Sequence, residues 1–230
     1  MDISVLIPAF NEQDRIAATV EAVRSVSDVG RIIVIDDGST DDTAARARSS
    51  GAEVVESSRN GGKGAALQSG IEYLDPSASD IVALLDADLG PSASELSNLI
   101  EPVISGRADM SIARFPRPQG KAGFGMVMGL ARFGIRRLGG DFDAQAPLSG
   151  QRVLNSRALD AVLPFSSGYG VEVALTIKAL RSDLRLEEVP TNMRHAATGR
   201  DLAGFLHRGR QFTHVARTLM RLSFAPRQRG

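Results

Sequence analysis

The 230-residue chain contains no cysteine and no long uninterrupted apolar run, and its formal net charge is zero. Without thiols it can form neither disulfides nor reactive thiolates, and a cytosolic location is favoured. No segment approaches the ~18 consecutive apolar residues that a membrane span needs, and the N-terminus leads into a predicted strand rather than a signal peptide. We therefore expect a globular cytoplasmic protein.

The zero net charge conceals an uneven distribution of charge. Residues 200–230 contain seven arginines and one aspartate, which leaves residues 1–199 with six more acidic than basic groups. Residues 114–140 contain six basic side chains and no acidic one. An acidic first part with two basic segments is typical of a protein that handles phosphates or meets an anionic surface.

The most informative stretch is an apolar run that ends in two aspartates. Five apolar residues, Ile81 to Leu85, lead without alternation into Asp86-Ala87-Asp88. Such a run is typical of a strand buried on both faces of a parallel sheet, and ligands bind outside the carboxyl ends of such strands. Two carboxylates spaced i, i+2 could share a divalent cation or the hydroxyls of a sugar. The alternative is that the two aspartates are acidic loop residues that cap the next helix.

Three further strands are predicted at residues 3–8, 31–35 and 53–56, each followed by a polar turn and a helix. Asn11 is the predicted N-cap of the first helix. The repeated strand–helix order indicates an α/β fold with a mostly parallel sheet and right-handed crossovers. The polar clusters that follow the four strands are Asn11-Glu12, Asp36-Asp37, Asn60 to Gly64 and Asp86 to Asp88. Because they share one rim of the sheet, we expect a nucleotide site there.

The glycine-rich turn at residues 60–64 fits neither of two familiar phosphate-binding motifs. A Walker A loop would need glycine at Ser57 and serine or threonine at Gly64, and a dinucleotide fingerprint would need a small residue at Leu67. We expect instead a turn whose backbone N–H groups and Lys63 meet a diphosphate or a base. A solvated turn lysine is the alternative.

The strand–helix rhythm ends after a predicted helix at about 92–105 and a strand at 109–113. Residues 114–140 contain seven glycines and are predicted to form a mobile loop that closes over phosphates before a short helix. Further helices are predicted from Ser156, from residues 168–172 to about Leu180 and over about 201–222, with a strand at 185–189. No linker separates these elements, so we predict one domain with two lobes.

In combination, four motifs resemble the family 2 glycosyltransferases of the GT-A fold, especially the branch that contains dolichyl-phosphate mannosyltransferase. The matching segments are Ile7 to Glu12, Asp36 to Asp41, Asn60 to Ala66 and Asp86 to Leu89. Through residues 147–150 and 168–172 the second half is also similar to glucosyl-3-phosphoglycerate synthases, which are retaining enzymes of similar fold.

The resemblance implies a Rossmann-like GT-A domain with a nucleotide-sugar-binding half (1–115) and an acceptor-binding half (116–230) that ends in an amphipathic helix. It implies metal-dependent transfer from a UDP- or GDP-sugar to a phosphorylated acceptor, either a polyprenyl phosphate or a small molecule such as phosphoglycerate. No nucleic-acid partner is expected. A nucleotidyltransferase and a catalytically silent binding protein of similar fold are the alternatives.

The family pattern also implies roles for individual residues. Asp88 would bind Mn²⁺ or Mg²⁺, Asp86 would lie over the ribose, and Asp37 and Glu12 would face the base and ribose. Lys63 would face the base or the diphosphate. The residues expected around the nucleotide are Pro8, Phe10, Glu12, Asp37, Lys63, Asp86 and Ala87.

Two residues of the second half complete the expected site. By resemblance His195 is a second metal ligand, and imidazole suits Mn²⁺ better than Mg²⁺; an ordinary surface histidine is the alternative. Glu172 is the leading candidate for the general base of an inverting transferase, ahead of Asp141 and Asp143. Glu172 could equally be a favourable acidic residue at a helix N-terminus, and in a retaining enzyme it would more readily hold the acceptor.

The C-terminal segment predicts an amphipathic, cationic helix. Its apolar residues recur at helical spacing and are Leu202, Phe205, Leu206, Phe212, Val215, Leu219 and Met220, and its arginines are Arg208, Arg210, Arg217 and Arg221, extended by Arg227 and Arg229. Such a helix could rest on an anionic membrane and reach a polyprenyl phosphate. Because the apolar stripe is no wider than a core-facing helix needs, covering the sheet or pairing two subunits is favoured.

Overall fold

The structure, a computed structural model, describes residues 2–75, 79–116, 125–166, 168–195 and 202–224, except for the side chains of residue 169 and residues 202–212. The strands are β1 (Ile3–Ala9), β2 (Val29–Asp36), β3 (Glu53–Glu56), β4 (Ile81–Leu84), β5 (Met110–Arg114), β6 (Arg152–Asn155) and β7 (Leu186–Pro190). The helices are α1 (Ile16–Arg24), α2 (Thr43–Ser49), α3 (Lys63–Leu74), α4 (Leu96–Ile104), α5 (Gly125–Gly139), α6 (Ser156–Val162), α7 (Val171–Arg181) and α8 (Leu202–Phe224).

All seven strands form one sheet in the order β3-β2-β1-β4-β6-β5-β7. The pairs β3–β2, β2–β1, β1–β4 and β5–β7 are parallel, whereas β6 is antiparallel to both of its neighbours. The predicted α/β class with a mostly parallel sheet is thus confirmed. The sequence analysis missed β6, because four residues directly before a helix are too short to show a strand period.

Helices cover both faces of the sheet because successive residues of a strand point to opposite sides. In β1, Val5 and Ile7 pack into the cluster that includes residues of α1 and α4. Leu6 points the other way, into the cluster that includes residues of α3, α6 and α7. Burial on both faces explains why the central strands are uniformly apolar, and it leaves the carboxyl ends of β1, β2 and β4 on a common rim.

The short helix predicted to follow the loop within residues 114–140 is longer than expected, because residues 125–139 form α5, a helix of about four turns. A Cβ on Gly134 would overlap the side chain of Leu219, and one on Gly139 would crowd Leu180. These glycines therefore let α5 pack closely on α8 and α7, and the packing outweighs their low helix propensity. Residues 117–124, with Arg117 and Lys121, lie outside the described residues.

The predicted N-cap at Asn11 is also wrong. Asn11 adopts a left-handed backbone conformation (φ 54°), and its side-chain oxygen accepts a hydrogen bond from the Thr40 N–H at 2.9 Å. Helix α1 begins only at Ile16 and has no side-chain cap. Asn11 thus joins the loops after β1 and β2 rather than opening a helix, a role that asparagine's tolerance of this conformation permits.

Helix α8 contributes to a third apolar cluster with α5 and α7. Val215, Leu219 and Leu222 are buried in this cluster, so this part of the helix packs on two other helices rather than on the sheet. Met220 is exposed instead. Within the described ranges, no helix has the length and apolar character needed to cross a membrane. The predicted cationic helix also included Arg227, Arg229 and the side chains of residues 202–212, which lie outside the described residues.

Asp109 links three strands at the rim opposite the predicted site, and we expect its charge to make folding acid-sensitive. Its buried carboxylate accepts hydrogen bonds from Asn155 and from the backbone and guanidinium of Arg185. Chiefly through Arg185, these contacts lower the pKa of Asp109 to about 2. Because the folded-state pKa is depressed, the stabilisation is present above about pH 4 and is lost as the pH falls towards 2.

We therefore expect Asp109→Asn to lower the free energy of unfolding at pH 7 by about 2 kcal/mol, and by less at pH 3. Chemical denaturation at both pH values measures this difference. Glu101→Gln is the matched control, because Glu101 pairs with Arg107 in an exposed ion pair and should change stability by less than about 1 kcal/mol. Equal losses for Asp109→Asn at both pH values would contradict the assigned role of the Asp109 charge.

Candidate functional site

The segment that follows β4 carries the two aspartates, and its shape is set by the neighbouring strand and helix. The Leu85 N–H donates to the Leu6 carbonyl, which extends the β1–β4 pairing by one residue. The buried Thr19 hydroxyl of α1 donates to the Ala87 carbonyl and accepts from the Gly90 N–H, both at 2.8 Å. Thr19 thus holds the turn from both ends, and Ala87 is buried below it.

The turn brings Asp86 and Asp88 together with His195, although 107 residues separate Asp88 from the histidine. His195 Nδ1 lies 3.0 Å from Asp88 Oδ1 and 3.9 Å from Asp86 Oδ2. One ligand atom from each of the three residues lies within 4.8 Å of the others. This is a cluster of two carboxylates and one imidazole that a single cation can bridge.

Two contacts hold His195 in this position. The Arg194 N–H donates to the Ser92 hydroxyl at 3.0 Å, which joins the chain after β7 to the turn after Gly90. The imidazole also stacks on Phe115, with 4.7 Å between ring centroids and 16° between the planes. His195 is therefore held beside the two aspartates, although its side chain is 43% exposed.

The chemistry of the cluster fits a divalent cation. Carboxylate oxygens suit Mg²⁺ and Mn²⁺, and an imidazole in the set favours Mn²⁺. Burial alone would lower the pKa of His195, but the hydrogen bond to Asp88 and the charge of Asp86 outweigh it, so that the pKa of His195 is raised. The two carboxylates thus attract positive charge to this point, whether from a proton or from a metal ion.

Asp86 has a second set of partners on its other side. Its Oδ1 lies 2.5 Å from the Lys63 ammonium, and its Oδ2 accepts a hydrogen bond from the Gln151 amide at 2.5 Å. Asp88, in contrast, has His195 as its side-chain partner among the described residues. Both oxygens of Asp86 are thus held by protein groups, whereas Asp88 keeps an oxygen for an external ligand.

Lys63 begins α3 and lies between two carboxylates. Its ammonium is 3.0 Å from Glu172 Oε1 as well as 2.5 Å from Asp86. Burial would lower the pKa of Lys63, but Asp86 and Glu172 outweigh it, so that the pKa of Lys63 is raised. Burial would likewise raise the pKa of Asp86, and the Lys63 charge reverses this to a lowered pKa. The pairing fixes Lys63 away from solvent, which excludes the solvated turn lysine.

The residue beside this ion pair must be glycine. A Cβ on Gly150 would overlap the Lys63 ammonium and would lie 3.1 Å from both oxygens of Asp86. The adjacent Gln151 is fully buried. The segment before β6 thus supplies both the space for Lys63 and the amide that orients Asp86.

Glu172 lies in the first turn of α7, as predicted, and is largely buried beside Lys63. Beneath it the buried Arg152 joins the Ser149 carbonyl to the Thr176 hydroxyl through hydrogen bonds of 3.0 Å each. Burial lowers the pKa of Arg152 to about 10 although Glu172 and Glu188 oppose this effect. Arg152 thus ties the segment before β6 to α7, so that Glu172 and Gln151 keep a fixed separation.

The other residues predicted around the nucleotide lie on the same rim, with different surroundings. The buried Asp37 accepts hydrogen bonds from the Gly61 and Gly62 N–H groups at 2.9 and 2.7 Å. These two N–H groups are therefore engaged by Asp37, contrary to the expectation that they meet a diphosphate. Glu12 forms an ion pair with Arg15. Phe10 is 44% exposed, and Pro8 pairs with Ile35 one residue before the end of the β1–β2 ladder.

A cleft of about 1080 Å³ opens next to His195. Its polar and charged lining residues include Arg114, Arg132, Gln145 and Thr191, and it has no acidic lining residue among those described. The Thr191 hydroxyl is buried and has no hydrogen-bond partner in the described part of the chain. The Arg114 guanidinium donates a hydrogen bond to the Gln145 side-chain oxygen at 3.3 Å. The described lining of the cleft is thus positively charged.

The structure brings together Asp86, Asp88, His195, Lys63 and Glu172, all of which the sequence analysis had singled out. Asp141 and Asp143 lie elsewhere, and Asp143 pairs with exposed Arg136. The supporting residues that sequence analysis missed are Thr19, Phe115, Gln151 and Arg152. The position of Gln151 next to Pro147–Gly150 is the one signal that pointed towards them.

Comparison with known proteins agrees with this geometry. Residues 4–160 match the family model described as Glycosyl transferase family 2. Over 197 residues the chain is 34% identical to the glucosyl-3-phosphoglycerate synthase of Mycobacterium tuberculosis (strain CDC 1551 / Oshkosh). This alignment covers 76% of this chain and 60% of that protein. The chain therefore spans less than two thirds of that relative's length. An undecaprenyl-phosphate 4-deoxy-4-formamido-L-arabinose transferase of Sodalis glossinidius is 33% identical over 109 residues, 43% of this chain and 32% of that protein.

The fold is also that of a solved structure. A crystal structure of glucosyl-3-phosphoglycerate synthase from M. tuberculosis in complex with Mn²⁺, UDP-glucose and phosphoglyceric acid superposes with a TM-score of 0.79. The match covers 99% of this chain and 81% of that one at 28% sequence identity. Another structure of that protein contains Mg²⁺ and UDP.

Proposed function

The chain belongs to glycosyl transferase family 2, and we propose that it transfers a sugar from a UDP-linked donor to a phosphorylated acceptor with the help of a divalent cation. The observation that carries the proposal is the convergence of Asp86, Asp88 and His195 beside a cleft that contains two arginines. The complexes of the similar synthase with Mn²⁺, UDP-glucose and phosphoglyceric acid support both the donor and the kind of acceptor.

In this proposal residues 1–115 hold the donor, and Asp88 and His195 hold the cation. When bound, the cation neutralises the charge that develops on the leaving diphosphate. Asp88 is the primary ligand because both oxygens of Asp86 already face Lys63 and Gln151. By the family resemblance, Asp86 would lie over the ribose. Pro8, Phe10, Glu12 and Asp37 line the same rim on the side of the base.

Lys63 and Glu172 act together in the proposed reaction. The Lys63 ammonium supplies the positive charge next to Asp86 and Glu172 and holds the two carboxylates on either side of it. We propose that Glu172 accepts a hydrogen bond from the acceptor hydroxyl. Transfer with inversion would require Glu172 to take the proton, whereas transfer with retention would require only that it orient the hydroxyl. Nuclear magnetic resonance of the anomeric proton of the product distinguishes the two.

The cleft on the acceptor side fits a phosphate monoester. Arg114 and Arg132 provide guanidinium groups. Guanidinium groups bind phosphate oxygens through charge-assisted hydrogen bonds. A small acceptor such as phosphoglycerate would use these groups alone. The apolar lining residues, which favour a polyprenyl phosphate as the second candidate, are Phe115, Pro116, Met128, Ala146, Leu148 and Pro190.

Product analysis tests the proposed function. The chain would be incubated with UDP-glucose and Mn²⁺ under three conditions: without an acceptor, in the presence of 3-phosphoglycerate, and in the presence of a short-chain polyprenyl phosphate. UDP release would be measured in each. UDP release that depends on one phosphorylated acceptor supports the proposal and identifies the acceptor class. Release of pyrophosphate from a nucleoside triphosphate and a sugar phosphate would instead identify a nucleotidyltransferase. Donor binding without release under any condition would identify a silent binding protein.

We expect Arg114→Ala to raise the KM for the phosphorylated acceptor by about 10- to 100-fold, because one hydrogen bond to a charged group contributes about 1.5–3 kcal/mol. The KM for the donor should change little, since Arg114 lies on the acceptor side. Initial rates at varied acceptor and donor concentrations measure the split. Arg107→Ala is the matched control, because Arg107 is an exposed arginine paired with Glu101. An increase in the donor KM alone would place Arg114 in the donor site instead.

A further inference from the structure

Helices α5 and α8 expose several large apolar side chains to solvent. Seven large apolar side chains of the described residues are exposed, and four of them belong to these two helices. The four are Met126 (76%), Phe133 (67%), Met220 (56%) and Phe224 (89%). Such a concentration on two helices differs from the scattered single exposures that are normal for a protein surface.

Helical spacing places these residues on the outer sides of the two helices. Met126 and Phe133 are seven residues apart, as are Arg217 and Phe224, and residues at this spacing lie on one face. The opposite sides are buried: Ala131 and Ile135 of α5 and Val215 of α8 pack into a common cluster with α7. The two helices are also in contact, since Gly134 faces the Leu219 side chain. Their exposed sides point away from the common cluster.

The same surface is positively charged. Neither α5 nor α8 contains aspartate or glutamate. The exposed arginines near the apolar side chains are Arg136, Arg137, Arg217 and Arg221. Arg136 pairs with Asp143 at the end of α5, and both side chains are largely exposed. Arg137, Arg217 and Arg221 form no ion pair with any described residue. We call the four apolar and four basic residues the α5–α8 face.

We propose that the α5–α8 face binds the surface of an anionic phospholipid bilayer. Exposed methionine and phenylalanine side chains can enter the boundary between headgroups and acyl chains, while arginines meet the lipid phosphates. Charge decides between this partner and a second copy of the chain. A two-fold pairing of the face with itself would bring the same arginines together, and neither helix has a carboxylate to neutralise them.

The position of α5 connects this surface with the acceptor cleft. Met128 and Arg132 of α5 line the cleft, whereas Met126 and Phe133 of the same helix belong to the α5–α8 face. A chain bound through this face would hold the cleft within one helix diameter of the lipid headgroups. This consequence rests on the proposed transfer to a phosphorylated acceptor, whereas membrane binding itself does not.

Vesicle flotation without donor or metal tests the proposal. The full chain would be mixed at physiological salt with phosphatidylcholine vesicles, with or without about one third phosphatidylglycerol. We expect flotation with the anionic vesicles only. Replacing Arg137, Arg217 and Arg221 by glutamine should weaken partitioning about 100-fold, given the contribution of each arginine near an anionic surface. Replacing Phe133 and Phe224 by serine should weaken it by at least 10-fold.

The matched controls carry the same chemical changes elsewhere on the surface. The first control replaces Arg46, Arg107 and Arg157 by glutamine and has the same net charge as the triple arginine variant of the face. The second control, Ile104→Ser, removes an exposed apolar side chain from α4. Both controls should float as the wild type does. Absence of flotation, or an equal loss in the controls, overturns the proposal. So does a concentration-dependent dimer in sedimentation velocity that Phe133→Ser abolishes, because the face would then bind a second copy. A separate measurement of UDP release tests the proposed sugar transfer, so that its failure can be distinguished from a failure of membrane binding.

Discussion

Replacing Asp88 by alanine is expected to abolish metal-dependent binding of UDP while leaving the fold intact. Asp88 is the carboxylate of the cluster with an oxygen that protein donors do not hold, so its removal takes away the primary cation ligand. Loss of partners outside the first coordination shell already costs about 10- to 100-fold in metal affinity, and loss of a ligand should exceed this. Calorimetric titration with UDP in the presence of Mn²⁺ measures the effect.

The fold should survive because Asp88 lies after the end of β4, and Thr19 holds the turn through backbone groups that the substitution leaves in place. Asp42→Ala is the matched control, since Asp42 is exposed and its side chain makes no capping hydrogen bond to α2. This control should bind UDP and Mn²⁺ as the wild type does. Undiminished affinity in Asp88→Ala, with the same Mn²⁺ dependence, would falsify the metal assignment.

The second large effect concerns Lys63 and should appear in stability as well as in binding. Lys63→Met removes the ammonium that compensates Asp86 and Glu172, and two largely buried carboxylates then face each other without a cation. Breaking a buried ion pair by removing one partner typically costs about 3–5 kcal/mol. We expect the free energy of unfolding to fall by about 3 kcal/mol, because the side chains retain some exposure, and UDP binding to weaken with it.

A second substitution separates charge compensation from packing. Adding Glu172→Gln to Lys63→Met removes one of the uncompensated charges and should restore part of the lost stability, so that the double-mutant cycle gives a clear coupling free energy. The matched control is Arg48→Met, because Arg48 and Glu56 form an ion pair whose side chains are 50% and 55% exposed. That change should cost less than about 1 kcal/mol. Equal losses for Lys63→Met and Arg48→Met would contradict the buried charge network.

Much of the structure of residues 1–115 followed from local patterns. The strands β1, β2 and β4 are buried on both faces, so their apolar runs are visible without any tertiary information. Polar clusters directly after these strands had to meet on one rim, because parallel strands end at the same edge of the sheet. Asp86, Asp88 and Lys63 could therefore be placed near one another in advance. Their individual partners could not, since hydrogen bonding depends on side-chain positions that a pattern does not contain.

The part of the chain after residue 115 was harder to predict because its elements depend on contacts between distant segments. Strand β6 has only four residues, and its place between β4 and β5 is set by pairing with both. The glycines of α5 lowered its apparent helix propensity, yet Gly134 and Gly139 are the positions where α8 and α7 approach most closely. A prediction from local propensity therefore made this helix shorter than packing allows it to be.

The sequence by itself determined the α/β class, the rim on which the site lies, and the residue types that suit a cation and a nucleotide. Those properties depend on the period of apolar residues and on the chemistry of single side chains. Only the tertiary structure decided that Lys63 lies between Asp86 and Glu172, that Gln151 holds Asp86, and that Phe115 stacks on His195. These contacts join residues 23 to 109 positions apart, and their geometry arises from the packing of whole strands and helices, which no local stretch of sequence specifies.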